Sequence, residues 1–177
     1  MANKHAVVRT DRLSGTDVRN MLISIKYLGD DGNTPTDIDN GNVLKVGALE
    51  AIDATKGVYE REVFVGADVA ASDDLKDVVL VATPEVMYDE RLRNLDDFVN
   101  EAGKICRAYR LHKGDIFSVT KEALDGVAAP AIGNVVELKA GTKLNVAASA
   151  TSGSTAVGKI IAVDVVGRYT YYVILVG

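Results

Sequence analysis

Residues 156–176 read AVGKIIAVDVVGRYTYYVILV, two runs rich in Val, Ile and Tyr on either side of Gly167 and Arg168. Branched and aromatic side chains favour strands, whereas glycine marks a turn. Strands are therefore predicted at 156–166 and 169–176. Both faces of the second run are apolar or aromatic, which is typical of a strand buried on both sides and indicates a central position in a sheet.

The rest of the chain repeats this pattern of short apolar runs separated by Gly, Asp and Asn. Such runs predict strands at residues 5–9, 21–28, 40–49, 61–65, 78–82, 105–111, 115–119, 135–138 and 143–147. Short strands that stop at glycines are typical of small barrels. The prediction is a mainly β fold: a compact, glycine-punctuated β-barrel or β-tulip with one or two short helices and an extended N-terminal arm.

Helical features occur in two segments. Residues 94–102 place apolar side chains at positions 95, 98, 99 and 102, between a capping Asn94 and a terminating Gly103, which predicts a short helix. A single helical turn is predicted at 120–125.

A length of 177 residues fits one domain. Residues 1–20 are predicted to form an arm or an edge strand, and residues 21–177 a single β-rich domain. The small, proline-broken segment 126–133 is the candidate boundary between two interlocked lobes. Roughly 45 residues follow it, which is few for an independent core.

Composition restricts the classes of partner. The net charge of -5 and the lack of a Lys/Arg cluster argue against a nucleic-acid partner. We expect no membrane partner and no general secretion, because no run approaches the roughly 20 apolar residues of a membrane helix and no signal core follows the N-terminus. A single cysteine, Cys106, fits a reducing compartment and is predicted to be a buried small apolar residue.

Residues for catalysis are scarce. His5 and His112 are the two histidines, and neither accompanies a nucleophile elbow, a zinc-protease motif or a phosphate loop. Ser118 and Lys121 have a helical spacing but fall in a strand-like run, where that spacing does not bring them together. Adjacent carboxylates such as Asp96 and Asp97 are interpreted as solvated charges. We therefore predict no catalytic residue, no cofactor and no enzyme.

One segment resembles the opening of a calcium loop. Asp37 and Asp39 are the candidate ligands, with Asp30 and Asp31 nearby. The segment is one residue short of the calcium-loop motif and lacks the distal Glu, so the alternative interpretation is two acidic turns, and no metal is predicted.

A proline-started segment, residues 83–93, mixes apolar, aromatic and arginine residues of the kinds enriched in protein interfaces. Its candidate contact residues are Met87, Tyr88, Arg91 and Arg93.

Three stretches together resemble the capsid decoration proteins of tailed bacteriophages, also called head-stabilising or cement proteins: residues 7–12, 101–120 and 156–173. The resemblance implies a barrel on the outside of the capsid, the major capsid protein as partner, self-association, commonly as trimers, and a mobile N-terminal arm that orders on the capsid. It also implies synthesis in the host cytoplasm and a final location on the virion. Residues 84–112 have no clear counterpart in that family.

The arm has a specific predicted role, in which residues 5–9 add as an edge strand to a neighbouring sheet. Its candidate contact residues are His5, Val7, Val8, Arg9 and Arg12. Deleting residues 1–12 would test this role through the loss of capsid binding.

Two other function classes stay open. A tail or head–tail joining subunit would share the β-rich build. A small enzyme or carbohydrate-binding module is the third, although the chain has no Trp for an aromatic platform and its tyrosines concentrate in the last strand.

Overall fold

A computed structural model describes residues 4–13, 21–89 and 91–177. Within these ranges the chain forms twelve strands, arranged as a closed five-stranded barrel and a seven-stranded sheet. The mainly β fold with a barrel is thereby confirmed. None of the helical turns in these ranges has the length or the apolar run that crossing a bilayer requires.

The barrel is built from the first half of the chain. Its strands, in chain order, are β2 (Leu22–Tyr27), β3 (Val43–Asp53), β4 (Val58–Ala67), β5 (Val78–Val81) and β6 (Ile105–Arg110). They follow the order β2-β4-β3-β5-β6 around the barrel, and β6 pairs back onto β2. The pair β2–β4 is parallel and the other four pairs are antiparallel.

The seven-stranded sheet combines the N-terminal strand with the second half of the chain. It contains β1 (Val8–Arg12), β7 (Ile116–Val119), β8 (Leu124–Gly126), β9 (Val135–Glu137), β10 (Leu144–Ala147), β11 (Ala156–Val166) and β12 (Tyr169–Val176). The order is β1-β7-β12-β11-β9-β10-β8. The last strand is central, as its sequence predicts. The chain passes from barrel to sheet between β6 and β7, whereas residues 126–133 include the last residue of β8 and part of its connection to β9 of the same sheet.

Two apolar cores share the barrel wall. Alternation along a strand explains this arrangement, because successive side chains point to opposite faces. All four residues of β5 are buried: Val79 and Val81 point into the barrel, and Val78 and Leu80 point outward. The outward pair joins side chains of the seven-stranded sheet, such as Phe117, in the larger core. The sheet is therefore packed against the outside of the barrel.

The predicted helix at 94–102 is wrong. A single 3₁₀ turn spans Leu95–Asp97, and extended backbone resumes at Phe98. Asn100 instead pairs its backbone with Ile38, with N–H···O distances of 2.9 and 3.0 Å. A nine-residue helix is marginal in isolation, so these tertiary hydrogen bonds decide the local structure. The helical turn predicted at 120–125 is confirmed for Lys121–Ala123, a 3₁₀ turn, whereas Leu124 and Asp125 belong to β8, a strand that the sequence did not predict.

The first strand begins later than predicted, at Val8 rather than His5. It is antiparallel to β7 and forms one edge of the sheet. The edge strand predicted at residues 5–9 is confirmed for residues 8 and 9, and the strand continues to Arg12. Residues 1–3 and 14–20 of the predicted arm lie outside the described residues.

Candidate protein-interaction surfaces

A long irregular connection between β5 and β6, residues 82–104, carries four predicted contact residues: Met87, Tyr88, Arg91 and Arg93. Tyr88 is 95% exposed, and Arg91 and Arg93 are also exposed. Connections of this length are uncommon in compact domains unless they have a function. A fully exposed tyrosine offers a large contact area with few rotatable bonds, as interface anchors do.

Beside Tyr88 the connection forms a cleft of about 500 Å³. Its lining is mostly apolar, from Val86, Met87, Tyr88, Leu92, Phe98, Val99 and Ile105. Asp89, Asp97, Glu101 and Lys104 supply its charged groups. Asp89 holds the Arg91 guanidinium through Nη2 at 2.6 Å and Nε at 3.0 Å. We name this region, residues 86–89, 91 and 92 with Phe98, Val99 and Ile105, the Tyr88 surface.

The connection is anchored at its base by a buried amide network. Asn40 Nδ2 donates to the Thr83 carbonyl at 2.8 Å, and Asn40 Oδ1 accepts the Thr83 N–H at 3.0 Å. Asn100 Nδ2 donates to Asn40 Oδ1 and to the Ile38 carbonyl, both at 3.0 Å. Because both ends of residues 83–100 are tied to residues 38–40, the Tyr88 surface rests on a rigid base.

Asp96 anchors the middle of the connection and is 2% exposed. Its carboxylate accepts the Lys4 backbone N–H at 3.1 Å, the Tyr169 hydroxyl at 2.8 Å and the Arg168 guanidinium. Burial opposes ionisation, but the hydrogen bonds from Lys4 and Tyr169 outweigh it and lower the pKa of Asp96. The interpretation of Asp96 as a solvated charge is therefore wrong: it joins three distant segments.

The N-terminal candidates point mainly inward. Val7 and Val8 are 1% and 8% exposed, and the Val7 N–H and carbonyl both bond Thr120. This corrects the expectation for these two residues, because their side chains pack within this chain. Arg9 lies 4.4 Å from the Tyr171 ring centroid and donates to Asp164 at 2.9 Å.

The other two N-terminal candidates, His5 and Arg12, also take part in this chain's own structure. His5 Nδ1 lies 2.9 Å from Asp39 Oδ1, and the Arg12 backbone pairs with Ile116 of β7. The described residues 4–13 are thus joined to their own sheet, and what β1 offers a partner is its outer backbone edge.

The calcium-loop candidates serve as backbone acceptors. Asp37 Oδ1 accepts the Ala102 N–H at 2.7 Å, and Asp39 contacts His5 and accepts the Ala6 N–H at 3.4 Å. In the described ranges, no three His, Cys, Asp or Glu side chains are grouped to hold a metal ion.

The residues weighed for catalysis lie apart. Ser118 is buried in β7, where its hydroxyl bonds Asp11, while Lys121 Nζ donates to the Leu124 carbonyl at 3.0 Å. His112 is exposed at the turn between β6 and β7, and its backbone N–H bonds Asp115 at 2.9 Å. Cys106 is buried inside the barrel as predicted, and burial raises the pKa of its thiol to about 11.

Sequence reasoning located the Tyr88 surface by composition but missed its anchors. Asp96, Asn40 and Asn100 are polar residues in turn-like segments, and only their burial distinguishes them from solvated ones. Comparison of this chain with protein-family models, with curated proteins and with solved structures finds no match.

Proposed function

We propose that the chain is a virion structural protein that binds the outer surface of a tailed-phage capsid and stabilises the shell. The major capsid protein is its partner, it self-associates, and it works by contact without a reaction. It is made in the host cytoplasm and ends on the capsid exterior. The resemblance of residues 7–12, 101–120 and 156–173 to decoration proteins is one source of support.

The Tyr88 surface is the observation that carries this proposal. It combines an exposed tyrosine, an apolar cleft and a rigid base, which are the features of a protein-binding anchor. A connection whose backbone is anchored at its base before binding loses less conformational freedom when the partner arrives. A repeating shell multiplies modest contacts of this kind when the bound protein self-associates.

Co-sedimentation tests the proposal. The probe is a capsid shell assembled from the major capsid protein of the phage that encodes the chain, without other virion proteins. We expect the wild type to pellet with shells and Tyr88→Ala to bind about tenfold more weakly or worse, because truncating a central anchor removes most of its contact area.

Ile132→Ala is the matched control, since Ile132 is a 66% exposed apolar residue near β9 in the other sheet. It should bind as the wild type does. A wild type that stays in the supernatant contradicts capsid binding. Equal binding by wild type and Tyr88→Ala contradicts the assignment of the contact to the Tyr88 surface.

A further inference from the structure

The hairpin formed by β3 and β4 extends beyond the barrel. β3 pairs with β5 only through Val43–Lys45, and β4 pairs with β2 only from Val63 onward. Between these limits the two strands pair with each other alone, closing at a turn that Asp53 caps. The end of the hairpin therefore projects past the first residues of β2 and β5.

The projecting end exposes apolar side chains. Ile52 is 62% exposed, and Val58 and Tyr59 are also exposed. Glu60, Arg61 and Glu62 follow, none of them with an ion-pair partner in the described part of the chain, so this segment carries one negative charge in excess. Clustered apolar residues beside unpaired charges are typical of a contact surface. We call residues 51–62 the hairpin end.

A cleft of about 420 Å³ opens at the same end of the barrel. Met21 precedes β2, Leu75 precedes β5, and Leu111 follows β6; these three residues supply its apolar lining. The rest of the lining is formed by Lys76, Arg110, His112 and Lys113, of which the two lysines and the arginine are cationic. No acidic residue is among these described lining residues. We call this set the basic cleft.

The walls of the basic cleft are fixed before any contact. Arg110 Nη1 donates to the Lys76 carbonyl at 2.9 Å, which ties β6 to the turn before β5. The backbone turn from His112 to Asp115 closes with an N–H···O distance of 2.9 Å. Asp74 pairs with Lys76 at 2.9 Å, whereas no ion pair holds Lys113 in the described ranges. Lys113 and Arg110 thus provide positive charge for an incoming carboxylate.

The hairpin end and the basic cleft are complementary in charge, and both offer apolar side chains. They lie at the same end of the barrel but on opposite walls. The hairpin end belongs to β3 and β4, and the basic cleft to β5, β6 and the start of β2. In a dimer with a twofold axis perpendicular to the barrel, a second copy would lie end-on to the first, and each hairpin end would lie on the same side as the other copy's basic cleft.

We propose that two copies of the chain form a reciprocal dimer, in which the hairpin end of each copy enters the basic cleft of the other. Ile52 and Tyr59 pack against the apolar lining, and Glu60 and Glu62 face Arg110 and Lys113. The contact forms twice in one dimer, as an isologous twofold interface requires. The dimer rests on the proposed protein-binding role but concerns copies of this chain alone, so it is measured without capsids.

Sedimentation velocity of the full chain, from low to high micromolar concentration, tests the dimer. We expect the wild type to dimerise, and less so in high salt because ion pairs at an exposed rim are screened. The hairpin variant Ile52→Ser/Tyr59→Ser and the cleft variant Lys76→Glu/Lys113→Glu should each dimerise about tenfold more weakly or worse. Lys143→Glu/Lys159→Glu, with the same charge change in the other sheet, should dimerise normally.

Mixing the two defective variants makes the test specific. A dimer of one hairpin variant with one cleft variant keeps one intact hairpin end and one intact basic cleft that face each other. The mixture should therefore recover part of the dimer that neither variant forms alone. Circular dichroism confirms that the variants are folded. A monomeric wild type overturns the dimer and leaves capsid binding untouched. If the wild type is monomeric and the cleft variant also fails to pellet with shells, the dimer is again overturned. The basic cleft is then assigned to contact with the capsid protein.

Discussion

At the residue scale, one carboxylate joins segments far apart in the sequence. Asp96 contacts the backbone of Lys4 and the side chains of Arg168 and Tyr169. A buried charge costs free energy unless hydrogen bonds satisfy it, and here three donors do so. Asp96 therefore links the connection that carries the Tyr88 surface to both ends of the chain.

Asp96→Asn should lower the free energy of unfolding by about 1–3 kcal/mol near pH 7, because a charged acceptor is lost at a buried site. The folded pKa of Asp96 is lowered from 3.8. Its ionised form therefore stabilises the fold above the unfolded pKa, and this stabilisation is lost as pH falls through the folded pKa. The difference in the free energy of unfolding between the wild type and Asp96→Asn should therefore become smaller as the pH falls.

Urea unfolding at neutral and acidic pH measures this difference. Asp30→Asn, the same change at an exposed position, is the control and should match the wild type closely. If the free energies of unfolding of the wild type and Asp96→Asn differ by the same amount across the acidic range, the claim that ionised Asp96 stabilises the fold is contradicted.

At the scale of elements, β1 is an integral strand of the sheet. Ala6, Val7 and Val8 are buried, and β1 pairs with β7 through Val8, Arg9 and Arg12. Deleting residues 1–12 therefore removes core side chains together with the edge. If this deletion abolishes capsid binding, the cause could equally be a lost contact with the capsid or a damaged fold. Substitutions are therefore the better probe.

Val7→Ala/Val8→Ala should reduce the free energy of unfolding by about 3 kcal/mol, from the buried methyl groups lost and the cavities left. Thr10→Ala, at an exposed position of the same strand, should change it little. Denaturant unfolding of both variants measures this. Equal stability of the two would show that β1 contributes little to the core.

Most strand positions could be predicted from the sequence because most strands are short apolar runs bounded by Gly, Asp or Asn, whereas β8, with the sequence LDG, has no such run and was not predicted. β11 and β12 have the predicted bounds, and β5 differs by one residue. The hairpin end was not predicted, since residues 51–60 lack an apolar run and are held by pairing with each other. The helix at 94–102 was wrong because its periodicity was outweighed by contacts of Asp96 and Asn100.

At the scale of the whole molecule, the sequence could not supply strand order. β1 pairs with β7, and β2 pairs with β6. These pairings join residues that are about a hundred positions apart in the sequence. Which residues lie on the surface depends on that order. Composition singled out Met87 and Tyr88, which lie on the irregular connection and stay predicted contact residues, whereas the same reasoning also chose Val7 and Val8, whose side chains are buried.

The resulting molecule presents two separate surfaces. The Tyr88 surface belongs to the connection between β5 and β6, and the hairpin end with the basic cleft lies at the end of the barrel where β2 and β5 begin. The proposed contact with a shell and the proposed contact between two copies therefore use different residues and do not compete.

Electron cryomicroscopy of phage shells incubated with the protein tests the central proposal most directly. The expected result is ordered density on the outer capsid surface, absent from untreated shells, into which the barrel and sheet fit with Tyr88 facing the major capsid protein. Undecorated shells, or density confined to the tail or the head–tail joint of complete virions, would contradict it.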